Sequence, residues 1–545
     1  MDEFEAILAR AKTAPLSEED REKLETAIHT LFWLTGELER KHVSIARLQT
    51  LLFGARNEKT SQVLAIESEP DSPESASQAG EKEASHGVEP EKKDKPKGHG
   101  RNGAAAYAGA EKIHVPHESL ASGALCPACK KGRVYNLAEP RTLVRVKGQA
   151  PLTATVWELE ALRCNLCDEV FAAKAPEGIG EEKYDESAAS MIALLKYGSG
   201  LPFNRLEKLE GNLGIPLPAA TQWEIVEEAA ERIAPAHDEL IRQAAQGEVI
   251  HHDDTTMKIL ALGGEKSVKE AEERVGEPTS SERTGVFTSG IVARREGHDI
   301  ALFFTGRKHA GENLAAVLKK RASELPPPIQ MCDGLSRNVL PDEFETLLAH
   351  CVAHGRRKFV ELVDLFPEEC RYVILSLRAV YKTDAEAREQ NLSPQKRLAL
   401  HQAQSRPVMD ELEQWMNGKM ERHEVEPNSA LGQAIEYMLK RWKELTLFLR
   451  EPGAPLDNNL CERALKKAIL HRKNALFYKT EKGARVGDLF MSLTYTAELA
   501  GVSAFDYLTE LQKHAEEVRR DPAAWMPWNY RAAIAGLPQA DSAPT

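Results

Sequence analysis

The chain has 545 residues, too many for one ordinary core, and its composition (42% hydrophobic, 28% charged, 6% aromatic) is that of a soluble protein with several folded units. No stretch is apolar for long enough to span a bilayer, and the acidic, amphipathic start MDEFEAILARAK is unlike a signal peptide; a cytoplasmic protein with no membrane partner is expected. The net charge of −13 does not advertise a nucleic-acid binder, although binding depends on where positive charge sits rather than on its sum.

Residues 17–60 read as one long helix with Leu24, Ala27, Leu31, Leu34, Leu38, Ile45, Leu48 and Leu52 on a and d positions and Lys41 as the polar exception. A first helical unit, 1–63, is expected to self-associate as a short coiled coil. Packing on its own domain is the weaker reading, because the polar stretch after the helix gives it little to pack against. That stretch, 64–113, is Ser, Glu, Lys, Pro and Gly with few large apolar residues, so it is expected to stay disordered. It ends in the basic run KKDKPKGHGR.

Residues 114–175 carry two CxxC pairs, Cys126 with Cys129 and Cys164 with Cys167, flanking a Val-, Thr- and Leu-rich segment that reads as strands around a turn at Gly148–Pro151. Four thiolates complete a tetrahedral shell for one Zn²⁺ and leave no open position, so a structural zinc ribbon is expected. Residues 176–246 look helical. The segment FNRLEKLEGNLGIPLPAATQWEIVEEAAERI has the helix, Gly214-containing turn and second helix of a helix-turn-helix, with an ordinary helical hairpin equally open.

From residue 247 the period changes. VIHHDDTTMKILAL, TGVFTSGIVARR and DIALFFTGR are strand-like, a charged loop (263–284) separates the first two, and the helix ENLAAVLKKRASEL leads to a short strand, PIQMCDG. This is a mixed α/β core whose first part spans 247–360. Residues 361–455 are almost entirely helical, 456–512 return to the core as helix, and 513–545 form a Pro- and Ala-rich tail.

Three short segments look chemical. HHDDTT lies toward a strand end, MCDG is a strand running into a glycine turn, and PLDNNLCERALKKAI opens a helix in which Asp457 or Asn458 is the candidate cap and Glu462 falls in an early turn. Carboxylates so placed can converge above a sheet. Phosphodiester chemistry needs such a cluster, because two Mg²⁺ (or Mn²⁺) ions held there activate the attacking oxygen and stabilise the leaving one. Taken singly, each acid has a plainer use: a turn for Asp253, Asp254 or Asp333, and a pair with Lys466 for Glu462. Their setting favours the cluster. Arg463 to Arg485 holds eight Lys or Arg against one acid, Glu481, and HGRRKF adds a second basic block after Asp333.

The leucine-rich helix ending LLFGARNEK, the basic GHGR, the two CxxC pairs, HHDDTTMKIL, CDG, CVAHGRRKF and DNNLCERALKKAILHRKNALF occur in the order found in the insertion-sequence-66 family of bacterial transposases, which the chain resembles over nearly its whole length. The resemblance implies a ribonuclease-H-like catalytic core with an Asp-Asp-Glu triad, Asp253, Asp333 and Glu462, interrupted by a helical insertion before the Glu. It also implies hydrolysis at the ends of a mobile element followed by strand transfer into target DNA. Terminal inverted repeats and target DNA would be the partners, joined by small accessory proteins of the same element. Two departures stand out. Asp254 follows Asp253 where the family has Glu, which leaves open which of the two is the ligand, and Leu335–Asn338 replace the tyrosines that usually follow the second Asp-Gly. Arg463, Lys466, Arg472 and Lys473 are candidate phosphate contacts, with His354 and Arg357 as weaker ones. The alternative is a transposase-derived zinc-ribbon DNA-binding protein without catalysis; a nuclease that cuts and does not join is a third.

Overall fold

A computed structural model describes residues 60–64, 119–135, 150–163, 170–174, 182–263, 285–341 and 343–537, with isolated positions elsewhere. The expected coiled coil, the linker, the loop 264–284 and the second CxxC pair lie outside the described residues. The chain divides into two compact units, Pro70–Pro151 and the remainder.

In the small unit, residues 119–135 make a tight cysteine turn. The Cys126 amide donates to Gly132 O at 2.7 Å, the Lys130 amide to Cys126 O at 2.9 Å, and the Gly132 amide to Cys129 Sγ at 3.4 Å.

The large unit holds the short helical turn Thr60–Val63, packed against the second core, and, beyond Leu152, a two-stranded ribbon in which Ala161–Arg163 pairs antiparallel with Val170–Ala172. Residues 152–159, read in sequence as strand, pair with no other strand among the described residues, while Glu160 O accepts from the Ala173 amide at 2.8 Å and extends the ribbon by one bond. Helices α1 (Glu186–Ala193), α2 (Phe203–Asn212) and α3 (Ala219–Ala244) follow. Gly214, at φ +80°, makes the turn between α2 and α3 in the left-handed region that glycine adopts without a Cβ clash. Val226, Ile233 and Leu240 bury one face of α3, while Glu224, Glu228 and Glu231 stand on its exposed side. An acidic outer face opposes DNA phosphate, which favours the hairpin reading of this pair.

The sheet comprises β1 (Val249–Met257), β2 (Val286–Arg295), β3 (His298–Gly306), β4 (Ile329–Cys332) and β5 (Leu347–His350), in the order β3-β2-β1-β4-β5. The first three are antiparallel, and β4 and β5 run parallel to β1. Glu296 and Gly297, at φ +49° and +83°, form the two-residue hairpin between β2 and β3, a conformation matched to strand twist. The fifth strand was not anticipated from the sequence: LLAH is four residues running straight into a helix, too short for a period to show.

Helix α4 (Ala310–Leu318) covers one face of β1 and β2. On the other side come α5 (Val352–Leu362), the antiparallel pair α6 (Pro367–Glu389) and α7 (Pro394–Glu421), and α8 (Ala430–Lys440). This insertion shares a core with the sheet: Val249, Ile329, Met331 and Ala349 are buried in one cluster with Phe359, Leu377, Met409 and Met438. The chain then re-enters the sheet region as α9 (Asn459–Ala475), α10 (Glu481–Leu499) and α11 (Ala504–Lys513). Beyond α11, Trp525, Met526 and Tyr530 are buried in the main core, so the segment set apart as a tail packs down as far as Leu537.

Helix α10 seals the sheet edge. Asp488, Ser492 and Thr496, one helical turn apart, accept the amides of Thr305 (2.6 Å), Phe303 (3.0 Å) and Ala301 (3.1 Å), alternate residues of β3. These are the outward-facing groups an edge strand would otherwise offer to another chain.

Candidate active site

Successive side chains on a strand point to opposite faces, so Asp253 and Asp254 part company. Asp254, whose side chain is only 2% exposed, accepts from His309 Nδ1 at 2.8 Å and meets Arg337 Nη2 at 3.3 Å. His309 caps α4, so Asp254 belongs to the α4 side. Asp253 pairs in register with Gly290, and a Cβ built on Gly290 would stand 3.0 Å from Leu465 and 3.4 Å from Cys461 Sγ. Gly290 therefore lets α9 lie close against β2 on the face that Asp253 shares.

Asp333 follows β4 directly and is buried. Its Oδ1 accepts from Asn338 Nδ2 at 2.6 Å and from the Leu335 amide at 3.2 Å. Gly334 passes under Arg441 of the insertion, whose Nε and Nη2 donate to Gly334 O at 3.3 and 3.1 Å; a Cβ there would collide with the same guanidinium.

Asn458 is the N-cap of α9 but makes no side-chain cap bond. Fully buried, it bonds instead to His251 Nδ1 (3.2 Å) and donates to His252 O (3.0 Å), while its amide donates to Cys351 Sγ (3.3 Å). Asp457 is occupied locally, accepting from the Asn459 amide and side chain. Glu462 then rises from the first turn, partly exposed, with His354 Nε2 at 4.0 Å. The pair with Lys466 is absent among the described residues.

The electrostatics tie the three acids together. Burial raises the Asp253 carboxyl to about 7, and the charges of Asp333, Asp254 and Glu462 push the same way. This donor set fits divalent cations: several carboxylates share one field, and neither Asp253 nor Asp333 has an ion-pair partner among the described residues. Cys351, His354 and Glu462 also offer one ligand atom each within 4.8 Å of one another. Burial pushes the Cys351 thiol up to about 12, which leaves His354 and Glu462 as the better donors of that trio.

The basic candidates separate. Arg463, Lys466 and Lys473 are exposed on α9, and Arg357 is half-buried on α5. Arg472 is half-buried and tied to the end of β1: its Nη1 donates to Thr255 Oγ1 (3.1 Å), Thr256 Oγ1 (2.6 Å) and Thr256 O. Arg463 also lines a cleft of about 1270 Å³ between the start of β1 and the insertion, with Arg294, Arg321 and Arg397 among its walls. Sequence reasoning missed Asn458 as a strut, Gly290 as a gap, and Arg441 as a brace; only the DNN run hinted at the first.

In the small unit, the Gly132 and Lys131 amides and the Cys126 side chain hold the Cys129 thiol below its usual range. Backbone amides aimed at sulfur suit a thiolate, and so a zinc ligand.

The family description Transposase IS66 family matches residues 182–486, which takes in the sheet, all three acids and the insertion. Relatives in Sinorhizobium fredii include the uncharacterized protein y4hP, 25% identical over 433 residues (75% of this chain, 74% of that one). A second, y4jD, is 24% identical over 454 residues (80% and 84%). A third, y4qI, is 26% identical over 386 residues (68% and 67%). No solved structure matches the chain. No helix among the described residues is long and apolar enough to cross a membrane. A match covering more than half of the chain, and framing the acids just described, places this protein in the IS66 family of transposases.

Proposed function

We propose that the chain is a metal-dependent DNA transposase with a ribonuclease-H-like core and an Asp253–Asp333–Glu462 catalytic triad. The observation that carries this reading is the convergence of three carboxylates from β1, the end of β4 and α9: burial lifts Asp253 to about 7, and the charges of Asp333, Asp254 and Glu462 push the same way. The strand order β3-β2-β1-β4-β5, with three antiparallel strands and two parallel ones, supports the fold assignment.

Asp253, Asp333 and Glu462 would hold two Mg²⁺ or Mn²⁺ ions, which supply activation of the attacking oxygen and charge relief at the leaving oxygen. Asn338 and the Leu335 amide fix Asp333, Asn458 fixes the start of α9, and His354 stands beside Glu462. In the first step a water oxygen bonds to phosphorus at the element end and gives its proton to solvent, while the bond from phosphorus to the 3′ oxygen breaks and that oxygen takes a proton from solvent to leave as a hydroxyl. In the second, that hydroxyl attacks target DNA, forming one phosphodiester as another breaks. Arg463, Lys466 and Lys473 contact phosphates, and the four CxxC cysteines hold one structural Zn²⁺. Asp254, braced by His309 and Arg337, is a structural acid. Asp333→Asn should lower Mg²⁺-dependent nicking by ~10³-fold or more while DNA binding by gel shift persists, since electrostatic and metal contributions to phosphoryl transfer are of that order. Nicking that survives the change rules the triad out.

A further inference from the structure

Helix α9 ends in an unusual way. Leu476 sits at φ +68°, ψ −40°, and the Phe477 amide donates to Ala475 O at 2.8 Å. That is a γ-turn of the rare positive-φ kind, costly for a residue with a branched apolar side chain. The strain presents side chains rather than burying them: Leu476 is 64% exposed and Phe477 40%. The tip is held from both sides. The Leu476 amide donates to Arg472 O, while the Tyr478 amide donates to Lys258 O and the Leu260 amide to Tyr478 O, each at 2.9 Å. Tyr478 is buried against His471, with ring centroids 4.6 Å apart.

The approach to this tip is basic. Arg463, Lys466, Leu470 and Lys473 fall on one face of α9 at spacings of three and four, all exposed, and Lys479 and Lys258 flank the tip. Residues 463–480 contain no acid. A second copy of the chain, formally −13, would be met by apolar contact and mixed charge; a stripe of one sign leading to an apolar point is complementary to a polyanion with stacked bases.

We infer that Leu476 and Phe477 form a rigid wedge that enters the base stack of the DNA lying along α9 and unpairs or kinks it at a fixed distance from the triad. The inference rests on the transposase reading above. The fourteen-residue step from Glu462 to Leu476 spans ~21 Å of helix, or roughly six base pairs of duplex at ~3.4 Å each.

The test uses the full-length protein and duplexes carrying the nicking site mapped for it, with 2-aminopurine placed at successive positions. With Ca²⁺ in place of Mg²⁺, fluorescence should rise severalfold at one step about six base pairs from the nick, and the rise should vanish in Leu476→Ser/Phe477→Ser. Leu476→Gly, which suits the positive φ and cannot lower stability through backbone strain, should halve the signal or more. The double variant should nick intact duplex ~10-fold more slowly and recover on a duplex mismatched at that step. Nicking by the native protein with no fluorescence rise at any position overturns the wedge alone. A changed sedimentation coefficient of the double variant in the absence of DNA overturns it in favour of an interface between copies. No nicking of any duplex by the native protein instead removes the transposase reading on which the wedge stands.

Discussion

Asp253 and Asp254 are adjacent in sequence, yet one faces α9 and two other acids while the other is locked by His309 and Arg337. A pair of single substitutions separates their roles. Asp253→Asn should abolish nicking at unchanged melting temperature or above it, whereas Asp254→Asn should lower the melting temperature and leave nicking measurable; the reverse pattern exchanges the two. The pH dependence sharpens this. The unfolded carboxyl titrates near ~4, and the folded one at about 7, so ionising Asp253 opposes folding. That penalty is absent below the unfolded value, grows between the two, and is complete above the folded one. Asp253→Asn should therefore raise the melting temperature of metal-free protein more at pH 8 than at pH 5, and an equal shift at both would detach Asp253 from the acid cluster. From sequence, the alternation of strand side chains was legible; which face α9 would cover was not, because Gly290 lies in another strand.

At the scale of elements, the site depends on how α9 is seated. Asn458 joins its first turn to β1 through His251 and His252 O, and burial holds those histidines neutral, near 4 and 3. Removing the amide strands buried partners, at about 1–3 kcal/mol each. Asn458→Ala should cost that much in urea unfolding and lower nicking by a larger factor than its stability loss explains. Wild-type nicking in a destabilised Asn458→Ala protein would show that the strut does not set the geometry. The sequence suggested a cap at Asn458 because Asn before a helix usually is one. Its side-chain partners lie more than two hundred residues away, where no local pattern reaches. HHDDTT and the helix bearing Glu462 were legible because each carries its own period, and β4, only four residues long, because it runs into the Asp333–Gly334 turn; β5, equally short, has no such boundary and runs straight into α5.

At the scale of the molecule, the insertion is part of the fold. Met331 and Ile329 of β4 are buried against α5–α8, and Arg441 braces the glycine that follows Asp333. Gly355 passes Met438 so closely that a Cβ would clash with its sulfur. Excising residues 367–440 should give insoluble protein instead of a smaller working core, as judged by recovery in the soluble fraction. A soluble, cooperatively unfolding remnant would make the insertion an appendage. The helical character of 361–455 could be read from sequence, since long periodic stretches declare themselves. Its docking could not, because it rests on glycines meeting side chains far along the chain.

The sealing of β3 by α10 also has a consequence in time. Asp488, Ser492 and Thr496 follow Gly306 by some 180 residues, so during translation at ~5–20 residues per second the sheet edge stays open for roughly 10–35 s. A ribosome that stops before α10 releases a sheet with its outermost strand bare, a template for aggregation. Copies of the gene broken by a premature stop in that interval would then yield no half-working protein, and a chain ended at residue 480 should partition to the pellet when the full-length protein stays in solution.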